Sequence, residues 1–275
     1  MIKKASKNMK GFDTCTPLSL EKAKEFKNAG YDFCIRYVSL SNNRTGDITT
    51  KEANNIINAG LALGIVQHVR YPGWKPSASL GQSDAQMALN HLAQVGIPKG
   101  ITVYVDLEGV ASGTSASDII AYANTWHDVI EQAGYIPGIY VGANSYLTGS
   151  QLYNSLKFQH YWKSLSIVPN VVVRGYEMVQ LRQINQLGVL IDEDVVYGDN
   201  LGNTPIFIFP NMQEEVIPVV GPFQDVPENH WAAQVILDMY NRGLLSKSTA
   251  FRPDQPITRA EAVALIDRVL KYLGK

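Results

Sequence analysis

The chain has 275 residues, a net charge of −1 and 45% hydrophobic residues. This length exceeds the usual size of a single domain and predicts one large domain with a small second one. The near-neutral charge argues against a strongly basic nucleic-acid-binding protein, so no nucleic-acid partner is expected. No apolar run is long enough to span a membrane.

Strands and helices alternate along the first half of the chain. Predicted strands at 11–15, 32–39, 63–71, 100–109 and 136–142 are separated by amphipathic helices at 18–30, 49–60, 83–96 and 115–134. Gly30 and Gly60 suit the left-handed residue that ends a helix, and Ser83 is the predicted N-cap of the third helix. This order predicts an α/β fold with a parallel sheet and helices outside it.

After residue 142 the helical pattern fades. Strands are predicted at 160–166, 176–184 and 189–197, with no convincing long helix between them. The total is eight strands, five of them with helical partners, which favours a TIM-type barrel with a reduced second half over an open sheet. No Gly-rich phosphate loop follows the first strand, which argues against nucleotide binding.

The domain boundaries follow from composition. We assign residues 10–204 to the barrel, and residues 205–221, which carry prolines and no clear period, to a linker. Residues 222–275 form a small all-α module of two helices joined by a loop. Cys15 and Cys34 lie in or beside predicted strands and are expected to be buried thiols rather than a disulfide.

Acidic residues stand at the ends of three predicted strands. Asp106 and Glu108 are two residues apart on one strand, so their side chains point the same way, near the end where barrel active sites form. Asp13 ends the first strand, and Asp192 and Asp194 stand on the last. Because first and last strands are neighbours in a closed barrel, Asp13 and Asp194 should converge.

Several carboxylates in one barrel mouth repel each other and raise at least one pKa. A glycosidase needs this arrangement, with one acid protonated near neutral pH and another group ionised. The alternative interpretation is that these acids face solvent or cap helices.

Six further residues in or near the C-terminal halves of strands are candidates for a sugar pocket. Aromatic rings suit the apolar faces of sugars, and an arginine suits a carboxylate such as the lactyl group of muramic acid. The candidates are Arg36, His68, Tyr71, Tyr104, Tyr140 and Trp162. Each is also compatible with ordinary barrel filling or ion pairing. No second His or Cys stands at ligand spacing from His68, so neither a metal nor a cofactor is predicted.

Four segments together resemble a known family: residues 11–39, the block DAQMALNHLAQVGIPKGITVYVDLEG, GYIPGIYVG and the closing IDEDVVY. They look like the glycoside hydrolase-like domain family of unknown function, which is related to the family 25 lysozymes, the N-acetylmuramidases. The resemblance covers residues 10 to 200. It implies a distorted TIM-type (β/α) barrel with five complete β/α units and three further strands.

The resemblance also assigns roles. Glu108 matches the general acid of the lysozymes, Asp106 its companion and Asp13 the first-strand aspartate. Asp194 matches the last-strand aspartate, with Asp192 as the competing alignment. The lysozymes carry Trp-Gln-Tyr on the seventh strand where this chain has Arg182, Gln183 and Ile184, which leaves Gln183 as the matching pocket residue. Residues 67–71 match the Tyr-His-Phe pattern of the third strand only loosely.

The module at the end of the chain opens its last helix with a capping box. Thr258 and Glu261 are spaced so that the hydroxyl and the carboxylate satisfy each other's backbone N–H groups. Apolar residues at helical spacing are predicted to form a small core: Trp231, Ile236 and Met239 on the first helix with Val263, Ile266, Val269, Leu270 and Leu273 on the second. Arg259 stands at the first helical position, where it can bind an anion or be a solvated surface cation.

The segments FQDV and TRAE with their surroundings resemble an S-layer homology (SLH) domain. The resemblance implies binding to acidic secondary cell-wall polysaccharide through Arg259, with Asp225 and Trp231 at other motif positions. SLH modules commonly act in threes, and this chain has one copy of marginal size. We therefore expect either a homotrimer through this module or docking of the module against the barrel.

Together these features predict a muramidase-like glycoside hydrolase acting on peptidoglycan and held at the cell wall or extracellular surface by the SLH module. The alternative is a non-catalytic cell-wall or spore-surface protein whose barrel binds glycan. Residues 1–14 lack the apolar core of a secretory signal. A signal cut from this sequence, a non-standard or spore-associated route, and release as a phage lysin are the routes left open.

Overall fold

The computed structural model describes residues 1–40, 46–211, 221, 223–246 and 248–274. The chain divides into two compact units, Met1–Asn211 and Met212–Lys275. Among the residues described, no helix has the length and apolar character needed to cross a membrane.

The first unit is a closed eight-stranded barrel. Its strands, in chain order, are β2 (Lys10–Asp13), β3 (Phe33–Val38), β4 (Ala62–Gln67), β5 (Thr102–Leu107), β6 (Ile136–Val141), β7 (His160–Lys163), β8 (Met178–Gln186) and β9 (Val189–Val196). Consecutive strands from β2 to β8 pair in parallel, and β9 closes the ring by pairing antiparallel with both β8 and β2. The predicted TIM-type barrel is confirmed.

Five helices complete the first five β/α units. They are α1 (Leu20–Asn28), α2 (Thr50–Asn58), α3 (Ala78–Val95), α4 (Ala116–Gln132) and α5 (Gly149–Asn154). The prediction of Ser83 as the N-cap of α3 is wrong, because Ser77 caps that helix by accepting from the backbone N–H of Leu80 at 3.2 Å. The short helix α5, which carries a capping box at Thr148 and Gln151, was missed.

The last barrel strands form an antiparallel hairpin. Strand β9 runs against both β8 and β2, so Asp192 lies closer to the mouth of the barrel than Asp194 does. The expectation that these acids end a strand at its carboxyl end is therefore wrong, although Asp192 still pairs opposite Asp13. An irregularity in pairing between Gln180 and Arg182 shifts the register of β8.

Two short strands close the amino-terminal end of the barrel. β1 (Ile2–Lys4) pairs antiparallel with β10 (Ile206–Ile208), and Ile208 bridges to Leu63 at the start of β4. Phe207 is fully buried against Phe33. Residues 206–208, which the sequence analysis placed in a linker, thus belong to the sheet. Residues 212–220 of that predicted linker lie outside the described residues.

Hydrophobic packing occupies both sides of the barrel wall. The larger cluster lies between strands and helices, with Phe12, Phe26, Leu63, Val103 and Trp126 among its members. The inner cluster fills the lower barrel with Phe33, Ile35, Tyr104, Trp162 and Met178. Cys15 is exposed and Cys34 is buried, and they do not form a disulfide, so the prediction of a buried thiol fails for Cys15.

The second unit contains α6 (Ala233–Asn241) and α7 (Arg259–Tyr272). Its core is formed by Phe223, Val226, Ala233 and Ile236, with Tyr240 and Phe251 packed on Phe223. The predicted core is wrong for α7, in which no residue is buried. Five members of that predicted core are exposed instead: Trp231, Val263, Ile266, Leu270 and Leu273.

Candidate active site

Carboxyl groups from three strands meet at the mouth of the barrel. Asp13 and Asp106 lie at the carboxyl ends of β2 and β5, and Glu108 follows β5 directly. A cleft of about 320 Å³ opens there, at the lower end of the usual size of ligand pockets. Its lining residues are Tyr37, Val66, Asp106, Glu108, Tyr140, Trp162, Leu165, Ser166, Gln180, Gln183 and Asp192.

Glu108 lies at the rim of this cleft and is half-buried. Burial raises the pKa of its carboxyl, and the nearby negative charge of Asp192 raises it further. Gly142 on the next strand leaves room for Glu108, since a Cβ atom there would lie 2.4 Å from Glu108 Oε2. Both effects favour the protonated form of the Glu108 carboxyl.

Asp106 lies deeper, with 7% of its surface exposed. Its Oδ1 atom is buried and has no hydrogen-bond partner among the described residues. Burial raises the pKa of Asp106 well above its ordinary value, and the charges of Glu108 and Asp13 add to this effect. An unsatisfied buried carboxyl oxygen in a cleft is suited to a hydrogen bond from a bound ligand.

Asp13 and Asp194 form a pair at the floor of the site. Asp13 Oδ1 accepts a hydrogen bond from Tyr37 Oη at 2.6 Å, and Oδ2 accepts one from Gln180 Nε2 at 2.9 Å. Asp194 Oδ1 accepts from Trp162 Nε1 at 2.9 Å. Burial raises the pKa of Asp13 to about 6, and it raises that of Asp194 well above the ordinary value. The structure thus brings these two residues together, as the closure of the barrel predicts.

Asp192 completes the cluster near the rim. Gln183 Nε2 lies 3.4 Å from Asp192 Oδ2, and partial burial raises the pKa of Asp192. Of the other predicted pocket residues, Tyr140, Trp162 and Gln183 line the cleft. The Tyr140 ring meets that of Trp162 edge to face at a centroid distance of 4.7 Å.

Arg36 is not in the cleft, and its predicted role as a substrate contact is wrong. It lies between Ile35 and Tyr37 on β3, so its side chain points away from the barrel interior. Nε donates to Glu52 Oε1 at 2.6 Å, Nη2 donates to the carbonyl of Gly46 at 2.6 Å, and the residue is fully buried. Arg36 is part of the packing between barrel and helices.

Three more predicted pocket residues lie outside the cleft lining. Tyr104 is fully buried below the cleft and donates its hydroxyl to Glu177 Oε1 at 2.6 Å. His68 contacts Asp47 Oδ1 through Nε2 at 2.8 Å and stacks on Tyr37 at 4.4 Å, so it supports Tyr37 from behind. Tyr71 is 85% exposed. The expectation that they touch substrate is wrong for Tyr104 and is not supported by the cleft lining for the other two.

Tyr37 and Gln180, which donate hydrogen bonds to Asp13, were not predicted as site residues from the sequence. Tyr37 shares the inward side of β3 with Phe33 and Ile35, which is the signal that could have located it. Gln180 lies at the irregularity of β8, where simple alternation fails.

A second cavity and a cluster of possible metal ligands lie outside the cleft. A larger cavity of about 630 Å³ lies on the outer side of β2 and β9, where Arg182 Nε pairs with Glu193 Oε2 at 2.6 Å. It is larger than the cleft, but neither Glu108 nor Asp106 lines it. Within the described residues, His127, Asp128 and Glu131 form one group at metal-ligand distances, but Lys157 Nζ already lies 2.6 Å from Asp128.

The second unit presents Arg259 at the start of α7. Thr258 caps this helix, since its hydroxyl accepts from the backbone N–H of Glu261 at 3.2 Å while the Glu261 carboxylate accepts from the backbone N–H of Thr258 at 2.8 Å. The predicted capping box is confirmed. Asp225 is occupied within the unit, because its carboxylate accepts from the backbone N–H groups of Phe251 and Arg252 at 2.8 and 2.7 Å. Trp231 is 87% exposed.

A family model described as an Rv2525c-like, glycoside hydrolase-like domain matches residues 24–192. The chain belongs to this family. An S-layer homology domain model matches residues 222–263. Both resemblances drawn from the sequence motifs are confirmed, and the glycoside hydrolase-like unit is followed by an SLH domain. No curated protein sequence matches the chain.

Solved structures share the fold of the glycoside hydrolase-like unit. The Mycobacterium tuberculosis Tat-secreted protein Rv2525c is 18% identical, with a TM-score of 0.52 over 69% of this chain and 98% of that one. A family 25 glycosyl hydrolase from Bacillus anthracis is 15% identical, with a TM-score of 0.51 over 70% of this chain and 90% of that one. The autolysin LytC of Streptococcus pneumoniae is 13% identical, with a TM-score of 0.51 over 69% of this chain and 46% of that one. At such identities the likeness shows the fold alone.

Proposed function

We propose that the protein is a muramidase-like glycoside hydrolase that cleaves peptidoglycan and acts at the bacterial cell wall. The observation that carries this proposal is Glu108, a half-buried carboxyl with a raised pKa at the rim of a cleft that holds further carboxyl groups. The family membership and the fold of the lysozyme-like structures support it as analogy.

In the proposed reaction, Glu108 donates its proton to the oxygen of the glycosidic bond as that bond breaks. Positive charge then develops on the sugar ring, where ionised carboxylates of the cleft stabilise it. Tyr140 and Trp162 are buried rings that pack against each other at the cleft lining and shape the surface beneath a bound sugar. Either a carboxylate of the cleft or the acetamido group of the substrate bonds to the anomeric carbon as the glycosidic bond breaks. A water molecule then hydrolyses this intermediate and returns a proton to Glu108.

The test of this proposal is the release of new reducing ends from purified bacterial walls and from chitin oligomers by the purified protein. If residues of the cleft catalyse hydrolysis, the number of reducing ends should rise with time and the turbidity of the wall suspension should fall. Saturable binding to walls with no new reducing ends would instead support the alternative, a non-catalytic glycan-binding protein of the wall or spore surface.

We also propose that Arg259 binds acidic wall polysaccharide. Its position at the start of α7 places a guanidinium group beside the free N–H groups of a helix N-terminus, which favours an anion. Arg259→Ala is expected to weaken binding to purified wall polysaccharide roughly tenfold at low salt, about the value of one charge-assisted contact. Co-sedimentation with walls measures this.

The matched control for Arg259 is Arg268→Ala on the same helix, whose guanidinium donates to Ser246 Oγ at 3.2 Å within the unit. It should leave wall binding unchanged. Equal loss in both variants would mean that the contribution of Arg259 is only general positive charge.

We also propose that three copies of the chain associate through their SLH units to form a homotrimer. It is supported by α7, where Val263, Ile266 and Leu270 recur at helical spacing and remain exposed. Analytical ultracentrifugation is expected to give three times the chain mass of 30.4 kDa, and Ile266→Asp should return the protein to a monomer. A monomer at all concentrations in the parent protein would contradict the trimer.

A further inference from the structure

Asp13 is held by one hydrogen-bond donor on each carboxyl oxygen. Tyr37 Oη donates to Oδ1 at 2.6 Å, and Gln180 Nε2 donates to Oδ2 at 2.9 Å. Donors directed at both oxygens stabilise the ionised form of a carboxyl group relative to the protonated form. The hydrogen bonds around Asp13 therefore favour a negative charge on this residue.

The orientation of Gln180 is fixed by its surroundings. Its Oε1 accepts from Tyr140 Oη at 3.0 Å and from the backbone N–H of Leu165 at 3.2 Å. The reversed orientation would point the amide N–H groups of Gln180 at the backbone N–H of Leu165 and its oxygen at the Asp13 carboxylate. Tyr140 and Leu165 thus ensure that Gln180 presents a donor to Asp13.

Asp194, unlike Asp13, has a hydrogen-bond donor on only one of its two carboxyl oxygens. Its Oδ1 accepts from Trp162 Nε1 at 2.9 Å, whereas Oδ2 is buried with no hydrogen-bond partner among the described residues. Asp13 lies within hydrogen-bond reach of Asp194. Repulsion between two buried, neighbouring carboxylates favours a state in which the pair holds one shared proton. A proton on Asp194 Oδ2, donated to Asp13, satisfies the unpaired oxygen.

We propose that Tyr37 and Gln180 are positioning residues that keep the negative charge on Asp13 and the shared proton on Asp194. The negative charge of Asp13 then lies beneath the sugar that Glu108 protonates. This role in catalysis rests on the proposed hydrolase function, whereas the placement of the proton does not.

Other titratable groups also face the pair from neighbouring strands, and several bias its titration. Burial is the largest influence on Asp13, and the charge of Asp192 opposes its ionisation as well. The remaining titratable groups that interact with Asp13 or Asp194 are Cys34, Tyr104, Asp106 and Tyr140. All are acidic or neutral, so the contacts that favour the Asp13 anion are the hydrogen bonds from Tyr37 and Gln180, together with the one from a protonated Asp194.

The test is a carboxyl titration by NMR of protein labelled with ¹³C at the aspartate side chains. In the parent protein Asp13 should titrate near the value of about 6 that burial gives it, and Asp194 should titrate higher. Tyr37→Phe and Gln180→Met each remove one donor and keep a side chain of similar size. Each is expected to raise the Asp13 midpoint by about one pH unit, the shift that corresponds to loss of one hydrogen bond to a charged group.

Tyr135→Phe is the matched control, because its hydroxyl donates to the carbonyl of Ile97, outside the cleft lining, at 2.8 Å. It should not move the Asp13 midpoint. If Tyr37→Phe fails to fold, Gln180→Met alone decides the question. An unmoved midpoint in the folded variants, or an Asp194 that titrates below Asp13, would overturn the proposal.

The pH dependence of wall cleavage distinguishes failure of the proton placement from failure of the proposed hydrolase function. If the parent protein cleaves walls, the acidic limb of kcat/KM should move to higher pH in Tyr37→Phe and Gln180→Met, in step with the Asp13 midpoint. If the midpoints move but no reducing ends are released by any form, the proton placement stands and the hydrolase function fails.

Discussion

Replacement of Glu108 by Gln is expected to lower the rate of wall cleavage about 10³-fold, the contribution of a positioned general acid. The amide has the same shape but no acidic proton to give to the departing sugar. Burial and the nearby charge of Asp192 raise the pKa of the Glu108 carboxyl, which favours the protonated form that a general acid needs. The measurement is the initial rate of reducing-end release at saturating wall concentration.

The control for this variant is Glu25→Gln on α1, whose carboxylate pairs with Lys22 on the surface at 2.5 Å. It should retain the parent rate. Wall binding should be unchanged in Glu108→Gln, because the SLH unit is intact. An undiminished rate in Glu108→Gln would exclude Glu108 as the acid and would direct attention to Asp192, the other acid at the rim.

Arg36→Met is expected to lower the free energy of unfolding of the first unit by about 3–5 kcal/mol, which is typical when one partner of a buried ion pair is removed. The variant leaves the Glu52 carboxylate buried and removes the donor to the carbonyl of Gly46. We expect the thermal midpoint to fall by roughly 10 °C. Calorimetry or circular dichroism measures it.

Two variants sharpen this prediction. Arg182→Met removes the exposed partner of Glu193 and should cost at most about 1 kcal/mol, as surface ion pairs do. The double variant Arg36→Met with Glu52→Met should cost less than the two single changes together, because no unpaired charge remains buried. It should still be less stable than the parent, because the backbone N–H of Leu18 loses its acceptor on Glu52. A stable Arg36→Met that only binds glycan more weakly would restore the substrate role.

The error over Arg36 shows where alternation along a strand stops being informative. Strand β3 is buried on both faces, as parallel barrel strands are, so its residues give no polar side from which the inward positions can be identified. Arg36 was therefore assigned to the cleft, although its neighbour Tyr37 occupies that position. The positions of Asp106 and Glu108 were easier to predict. Burying an unpaired charge in an apolar environment is costly, so two acids at the carboxyl end of an apolar strand are expected to face the open mouth of the barrel.

The barrel itself was predictable because five strands and four of the helices that follow them have strong periodicity. The antiparallel direction of β9 could not be predicted from the sequence pattern, because the alternation of side chains along a strand is the same whichever way the strand runs in the sheet. The prediction of the core of the SLH unit was wrong for another reason. The apolar spacing of α7 was interpreted as a buried face, but the unit builds its core from Phe223, Val226 and Ile236 and leaves that face exposed.

The most direct test of the central claim, that the cleft around Glu108 cleaves wall glycan, is mass spectrometry of soluble products from purified peptidoglycan. The parent protein is expected to release muropeptides with a new reducing sugar end, and Glu108→Gln at equal concentration is expected to release almost none. Equal product patterns from both proteins, or intact glycan with both at concentrations that saturate wall binding, would contradict the claim.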